Sequence, residues 1–381
     1  MIPHLLTLLS WASGDVSTAR PRHEAALPAL DAEIAEVSPE GRRLVIGATP
    51  GRALVLELPA GTVAAEIRTG TARPTSIAWR PDGAELAVLD EHGFVTVSDA
   101  RSGIRRLRLA TASQRDADDW GLRAVRYAAR GDRIATALGT PAELFDAEDG
   151  RRRARIASPT RGVFSAIDVS ADGELVALGN EDGHVGVWSA RTGELVHGPI
   201  VLPRGTNVAT VYELDFHPDG KSLAMGGGDA SARIWTFATG AVRELAHTDM
   251  DFLDLLMIRH VAFSWDGRWL ATTSGDFWTS CVWDVAHGTR LWRRDRGGGN
   301  ALFMRAAFTP DARFVVTEFD GAVAGTGTWT DSHRLEPFAP LGLNPRYRAA
   351  GAFVWATTEE RFLVWRVDTG RLVLQLAMQR G

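Results

Sequence analysis

LDFHPDG at residues 214–220, followed by SARIWTFATG at 231–240, decides the fold of this chain. An apolar strand runs into a Pro-Asp-Gly turn, and a second apolar run follows. A third strand then ends at Trp235 and reverses at Gly240. Read outward from there, the first element recurs. IAEVSPEG ends at Gly41, IAWRPDG at Gly83, VRYAARG at Gly131, IDVSADG at Gly173, VAFSWDG at Gly267 and AAFTPDA at Ala312. Successive spacings are 42, 48, 42, 47, 47 and 45 residues. The second element recurs with it, as a glycine at 61, 103, 150, 193, 240, 288 and 370. Five residues before each stands a strand-ending position: Leu56, Ser98, Phe145, Trp188, Trp235, Trp283 or Trp365. A chain that reverses after a strand needs a positive φ, and glycine supplies it without steric cost.

Two registers kept in step at a period of 40–50 residues predict one four-stranded blade per repeat. The expected fold is therefore an all-β β-propeller of four-stranded antiparallel blades. The second-strand candidates LVIGAT, ELAVLD, RIATAL, ELVALGN, SLAMGG, WLATTSG, FVVTEF and AFVWATT are apolar at successive positions, as sheets covered on both faces require. No window keeps a 3.6-residue apolar period. Eight third-strand and turn units can be counted, so eight blades are expected, with seven as the alternative. The organisation reads as a propeller over 34–381 and an N-terminal segment, 1–33, that could close the ring as a strand or be the remnant of a linker.

VWSARTG, IWTFATG, VWDVAHG and VWRVDTG resemble the terminal strand and turn of the WD-repeat family, and SPEG, RPDG and HPDG resemble its turn before the second strand. The resemblance covers roughly 34–377 and points to a divergent, bacterial member. It departs in two places. Among these strand ends only Trp283-Asp284 is a literal Trp-Asp pair, and Ala246-His247 is the nearest substitute for the family's Gly-His. In the family that histidine bonds an aspartate before the third strand. Asp182, Asp229, Asp276 and Asp320 hold that position here.

The 381 residues are 45% apolar with a net charge of −5, which argues against a general nucleic-acid binder. A single cysteine, Cys281, excludes an internal disulfide, and Lys221 is the one lysine. The apolar stretch Leu5–Trp11 lacks the positive flank of a secretory signal and is too short to span a bilayer. The expectation is a cytoplasmic, monomeric propeller away from membranes.

There is no G-x-S-x-G, P-loop, H-E-x-x-H or Cys-x-x-Cys, so no catalytic residue, cofactor or metal site is expected. His247 and His260 flank Asp249, Asp251 and Asp254, a metal-like set, but the loop's Phe252, Leu253, Leu255, Leu256 and Met257 read as a contact surface. His217 stands at a turn's serine position, where it should act structurally. Quinone-dependent dehydrogenases are also propellers docked through tryptophans, yet their long docking motif is missing. The function read from the chain is a non-catalytic scaffold for a protein or peptide partner, in a signalling assembly. A propeller enzyme of that dehydrogenase type and a purely structural subunit are the alternatives.

Two blade-to-blade stretches place one aromatic among acids: Trp120 with Asp116, Asp118 and Asp119, and Phe252 with Asp249, Asp251 and Asp254. Later ones read as basic, through Arg293, Arg294, Arg296, Arg346 and Arg348. The partner is expected to dock on that face, meeting the acids with its own cations.

Overall fold

The computed structural model describes residues 34–48, 51–58, 61–111, 123–128, 130–203, 209–247, 257–274 and 279–295. It also describes Leu8–Ser10 and, chiefly as backbone, the strands between 306 and 377. Among the described residues every regular element is a strand.

Six four-stranded antiparallel sheets follow one another along the chain. The first holds Ala35–Val37, Arg43–Ala48, Arg52–Glu57 and Thr62–Arg68, and the second Pro74–Trp79, Glu85–Asp90, Phe94–Asp99 and Arg105–Ala110. The third runs over Arg123–Tyr127, Arg133–Leu138, Ala142–Asp146 and Arg152–Ile156, and the fourth over Phe164–Val169, Leu175–Asn180, His184–Ser189 and Leu195–Val201. The fifth comprises Glu213–Phe216, Ser222–Gly226, Ser231–Thr236 and Val242–Ala246; the sixth comprises Ile258–Phe263, Trp269–Ser274, Thr279–Asp284 and Thr289–Asp295. First strands of successive sheets pack against one another, which is the arrangement of propeller blades around an axis. Farther along, Leu8–Ser10 pairs antiparallel with Leu374–Leu376.

Burial explains why apolar runs need not alternate. Glu85–Asp90 is buried along its whole length, whereas the outermost Leu195–Val201 is exposed or half-buried throughout. The core lies between blades. Trp188 packs with Ala124, Leu144 and Ile156 of the blade before it, Trp235 with Val185 and Val187, and Trp283 with Ala232 and Leu245. The three indoles are 8%, 3% and 4% exposed, as their recurrence predicted. In the second blade, Ser98 occupies this position, and Trp79 from the first strand supplies the large ring of that cluster. Trp365 carries no described side chain.

Both glycine registers meet a backbone requirement. Gly41, Gly83, Gly131, Gly173, Gly220 and Gly267 each donate an amide bond three residues back and have φ near +70°. Ala312 holds φ 53° at the same place, so the turn imposes the conformation even without glycine. At the strand reversals Gly61, Gly103, Gly150, Gly193, Gly240 and Gly288 are again left-handed; Gly370 lies outside the described residues.

Polar contacts between blades run mostly in one rotational sense, from a side chain of one blade to the backbone of the next. Arg43 donates to the Gly83 carbonyl, and Arg106 to those of Ala147 and Glu148. Asp168 accepts from the Phe216 amide and Asp215 from that of Phe263. His217 bonds the Gly267 carbonyl at 3.0 Å, the structural role its turn position suggested, and Arg243 reaches Val285 and Ala286.

Candidate interaction face and the ring axis

Loops before the third strands and loops between blades lie on one face, because they bond one another. Thr69 and Thr111 donate amides to Gly51 and Gly93, Leu202 to Gly183, and Ile258 to Gly227. The turns after the first and third strands meet on the opposite face, through amides such as Ala100 to Ala84 and Phe237 to Lys221. On the first face the aspartates before the third strands are engaged individually. Asp182 takes the Thr160 hydroxyl at 2.6 Å and the Gly162 amide at 3.0 Å. Asp229 forms a two-pronged ion pair with Arg233 of the third strand itself, at 2.8 and 2.6 Å. Asp276 and Asp320 lie outside the described residues.

The sixth blade, with its literal Trp-Asp pair, is wired differently. The Thr272 hydroxyl, wholly buried, accepts from the Trp283 indole at 2.8 Å and bonds His247 Nε2. One hydroxyl thus serves two buried nitrogens, and removing it takes a partner from both. Thr272→Val is expected to lower stability by about 1–3 kcal/mol, while Thr272→Ser should lose far less. Equal losses for the two variants in chemical denaturation would sink the hydroxyl's role.

At the axis, each first strand has a free edge whose amides need acceptors. Asp168 and Asp215 meet that need for the next blade, Asp168 at 2.7 Å from the Phe216 nitrogen. The charge they carry is costly there. Burial pushes the Asp168 carboxyl up to about 6, with Glu213 adding to it and the Phe216 amide and Arg126 opposing. Asp215 is raised well above the usual carboxylate range, first by burial and then by the charge of Asp168. His260 lies by Glu213, with Nε2 on the Ala306 carbonyl at 2.9 Å and Nδ1 3.6 Å from the Glu213 carboxylate. This acidic group escaped sequence reasoning, though an acid inside the apolar runs IDV and LDF was a visible signal. Among the described residues no set of three or more histidine, cysteine or acidic side chains could hold a metal ion.

A family model, the WD domain, G-beta repeat, matches residues 202–236, from the loop after Leu195–Val201 to the end of the Trp235 strand. No curated protein matches the sequence. Among solved structures, the β-propeller domain of Cps50 (Swd1) from Myceliophteria thermophila is similar, at 18% identity and a TM-score of 0.56, over 78% of this chain and 95% of that one. The fold is a β-propeller, and residues 202–236 match a WD repeat. At 18% identity the structural likeness speaks for the fold alone.

Within this propeller, the residues expected to contact a partner fall in different places. Asp116, Asp118, Asp119 and Trp120, Asp249, Asp251, Phe252 and Asp254, and Arg296 lie outside the described residues. Arg294 does not belong to a loop: it sits in the outermost strand Thr289–Asp295, opposite Ser280. Arg346 and Arg348 likewise lie in the strand Arg346–Ala350, opposite Thr357 and Trp355. The basic side of the loop face, as the sequence drew it, is therefore corrected. The outermost strand Thr289–Asp295 faces water beyond its one neighbour, so it carries charges as densely as a loop does, whereas Arg346–Ala350 is a first strand, packed beside Ala306–Phe308 and Ala35–Val37.

Proposed function

We propose that this WD-repeat propeller is a non-catalytic platform for a protein or peptide partner, serving as the sensory or regulatory part of a bacterial signalling assembly in the cytoplasm. The observation that carries the reading is a division of labour along each repeat. The recurring positions, the turn glycines and the inter-blade tryptophans, are used up in shaping the blades and joining them. The residues that do not recur fall on loops and outer edges, where a partner can reach them. Trp120 and Phe252 with their flanking acids remain the proposed contact residues, and a monomeric ring the proposed state.

Eight blades are the proposed count. The strands beyond the sixth sheet pair as Ala306–Phe308 to Thr330–Arg334 and as Arg346–Ala350 to Leu372–Ala377, and Ala35–Val37 packs beside both Pro74–Trp79 and Arg346–Ala350. The pairing of Leu8–Ser10 with Leu374–Leu376 supports a closing role for residues 1–33. The test is a double substitution, Trp120→Ala with Phe252→Ala. Loss of a partner captured by the native protein, at unchanged melting temperature, is the expected result. Undiminished capture, or a fall in melting temperature large enough to explain the loss, removes those residues from the contact.

A further inference from the structure

Whereas the chain carries −5 overall, the outer edges of the second and third blades carry a concentration of arginine. The second ends in IRRLRLA, residues 104–110, and the third in RRRARI, residues 151–156. Arg101, Arg105, Arg108, Arg151, Arg152 and Arg153 are all exposed, and Ile104 among them is 70% exposed. The two edges form one continuous surface. Arg106 bonds the carbonyls of Ala147 and Glu148, and Gly150, next to Arg151, lies against Leu107 and Leu109. Arg105–Ala110 and Arg152–Ile156 are terminal in their sheets, so each presents an open backbone edge.

Edge protection is the plain explanation for charge at such a position, and it accounts for one or two residues per strand. It does not account for the distribution. The same edge of the fourth blade, LVHGPIV, bears no arginine and exposes Leu195, Val196 and Val201, and that of the fifth, VRELA, balances Arg243 with Glu244; the sixth, TRLWRRD, carries three arginines, but the edges on either side of it, VRELA and TDSHR, do not extend them into a joined surface.

We infer that the joined edges of the second and third blades dock an acidic, extended segment of a partner protein. The inference rests on the scaffold reading above and names a surface and a partner chemistry for it. An extended chain places every second side chain about 6.8 Å apart along one side. Arg152 and Arg153 bond Glu143 and Asp146 of their own blade, while Arg105, Arg108 and Arg151, spread along the two edges, can each meet a carboxylate with a two-pronged bond. The open edge adds main-chain hydrogen bonds, and Ile104 offers apolar area between charges. Nucleic acid fits less well. Asp99, Glu148 and Asp149 stand within the same hairpins and would repel a continuous phosphate chain, whereas a peptide can place its carboxylates between them.

The probe is a fluorescently labelled twelve-residue peptide of alternating glutamate and valine, followed by anisotropy against the full chain. The comparison protein is Arg105→Glu with Arg151→Glu, and the control is Arg191→Glu on the exposed turn of the fourth blade. Binding that weakens at least tenfold in the double variant, is unchanged in the control and declines with added salt is the expected result, at equal melting temperatures. No binding of the peptide, equal binding by the double variant, or a labelled oligonucleotide of twelve nucleotides binding more tightly through the same two arginines would overturn it. A native partner captured equally by both proteins would also defeat this surface, while leaving the scaffold reading intact.

Discussion

Trp235→Ala should cost about 3–5 kcal/mol of folding stability, the usual range for emptying a large aromatic site in a core. The indole is 3% exposed and meets residues of two blades, including Val185, Val187 and Leu202 on one side and Leu223 and Met225 on the other. It stands edge-on to Phe237 at 5.2 Å and to His197 at 6.4 Å, and neither ring can fill the vacated volume without leaving its own contacts. Because a propeller is held by nearest-neighbour interfaces, the damage should fall on one seam between blades. Urea denaturation checks this, and a loss under about 1 kcal/mol would contradict the inter-blade role of the repeated tryptophan.

The axial aspartates should make stability fall as pH rises. Asp168 and Asp215 hold their protons more tightly in the folded chain than in the unfolded one, where an aspartate titrates near ~3.9. The folded state therefore binds more protons through that interval, and linkage gives a negative slope of stability against pH. For Asp168 the loss begins near pH ~4 and is complete above about 6; Asp215 extends it upward. Both side chains keep some accessible surface, so the loss from Asp168 is about 1–3 kcal/mol at neutral pH rather than the full value of the shift. Asp168→Asn keeps an oxygen to accept from the Phe216 amide and removes the titration. The variant should match the native protein near pH 4, exceed it at pH 7, and show a flatter profile between. A native profile that rises over this range, or a variant that leaves the slope unchanged, would refute the account.

The sequence revealed those parts of the fold that impose a local demand at a fixed interval. A turn that needs positive φ selects glycine at Gly41, Gly83 and Gly220, and a seam between blades selects a large ring at Trp188, Trp235 and Trp283. Either demand can be counted without knowing what lies opposite. Features that depend on a distant partner were not legible. His247 stood out as a substitute for a family residue, but its bond to Thr272, 25 residues on, required the register of the sixth blade. Asp168 gave a hint as an acid in an apolar strand, yet the amide it accepts from belongs to the next blade, 48 residues away. The arginines at 293 and 294 misled because an outermost strand and a loop share the same composition, and those at 346 and 348 because they open the first strand of a blade, directly after a blade-to-blade stretch.

The predominantly one-directional polar contacts between blades make the two sides of a seam unequal, most plainly between the fourth, fifth and sixth blades. When a seam opens, the earlier blade keeps flexible arginine, histidine and aspartate side chains that can turn to water. The later blade is left with fixed backbone amides and carbonyls, among them those of Phe216, Phe263 and Gly267, that lose their partners together. The blade after a break is therefore the less stable of the two. Unravelling should advance around the ring in the direction of the chain, with amide exchange rising first on the downstream side of a weakened seam.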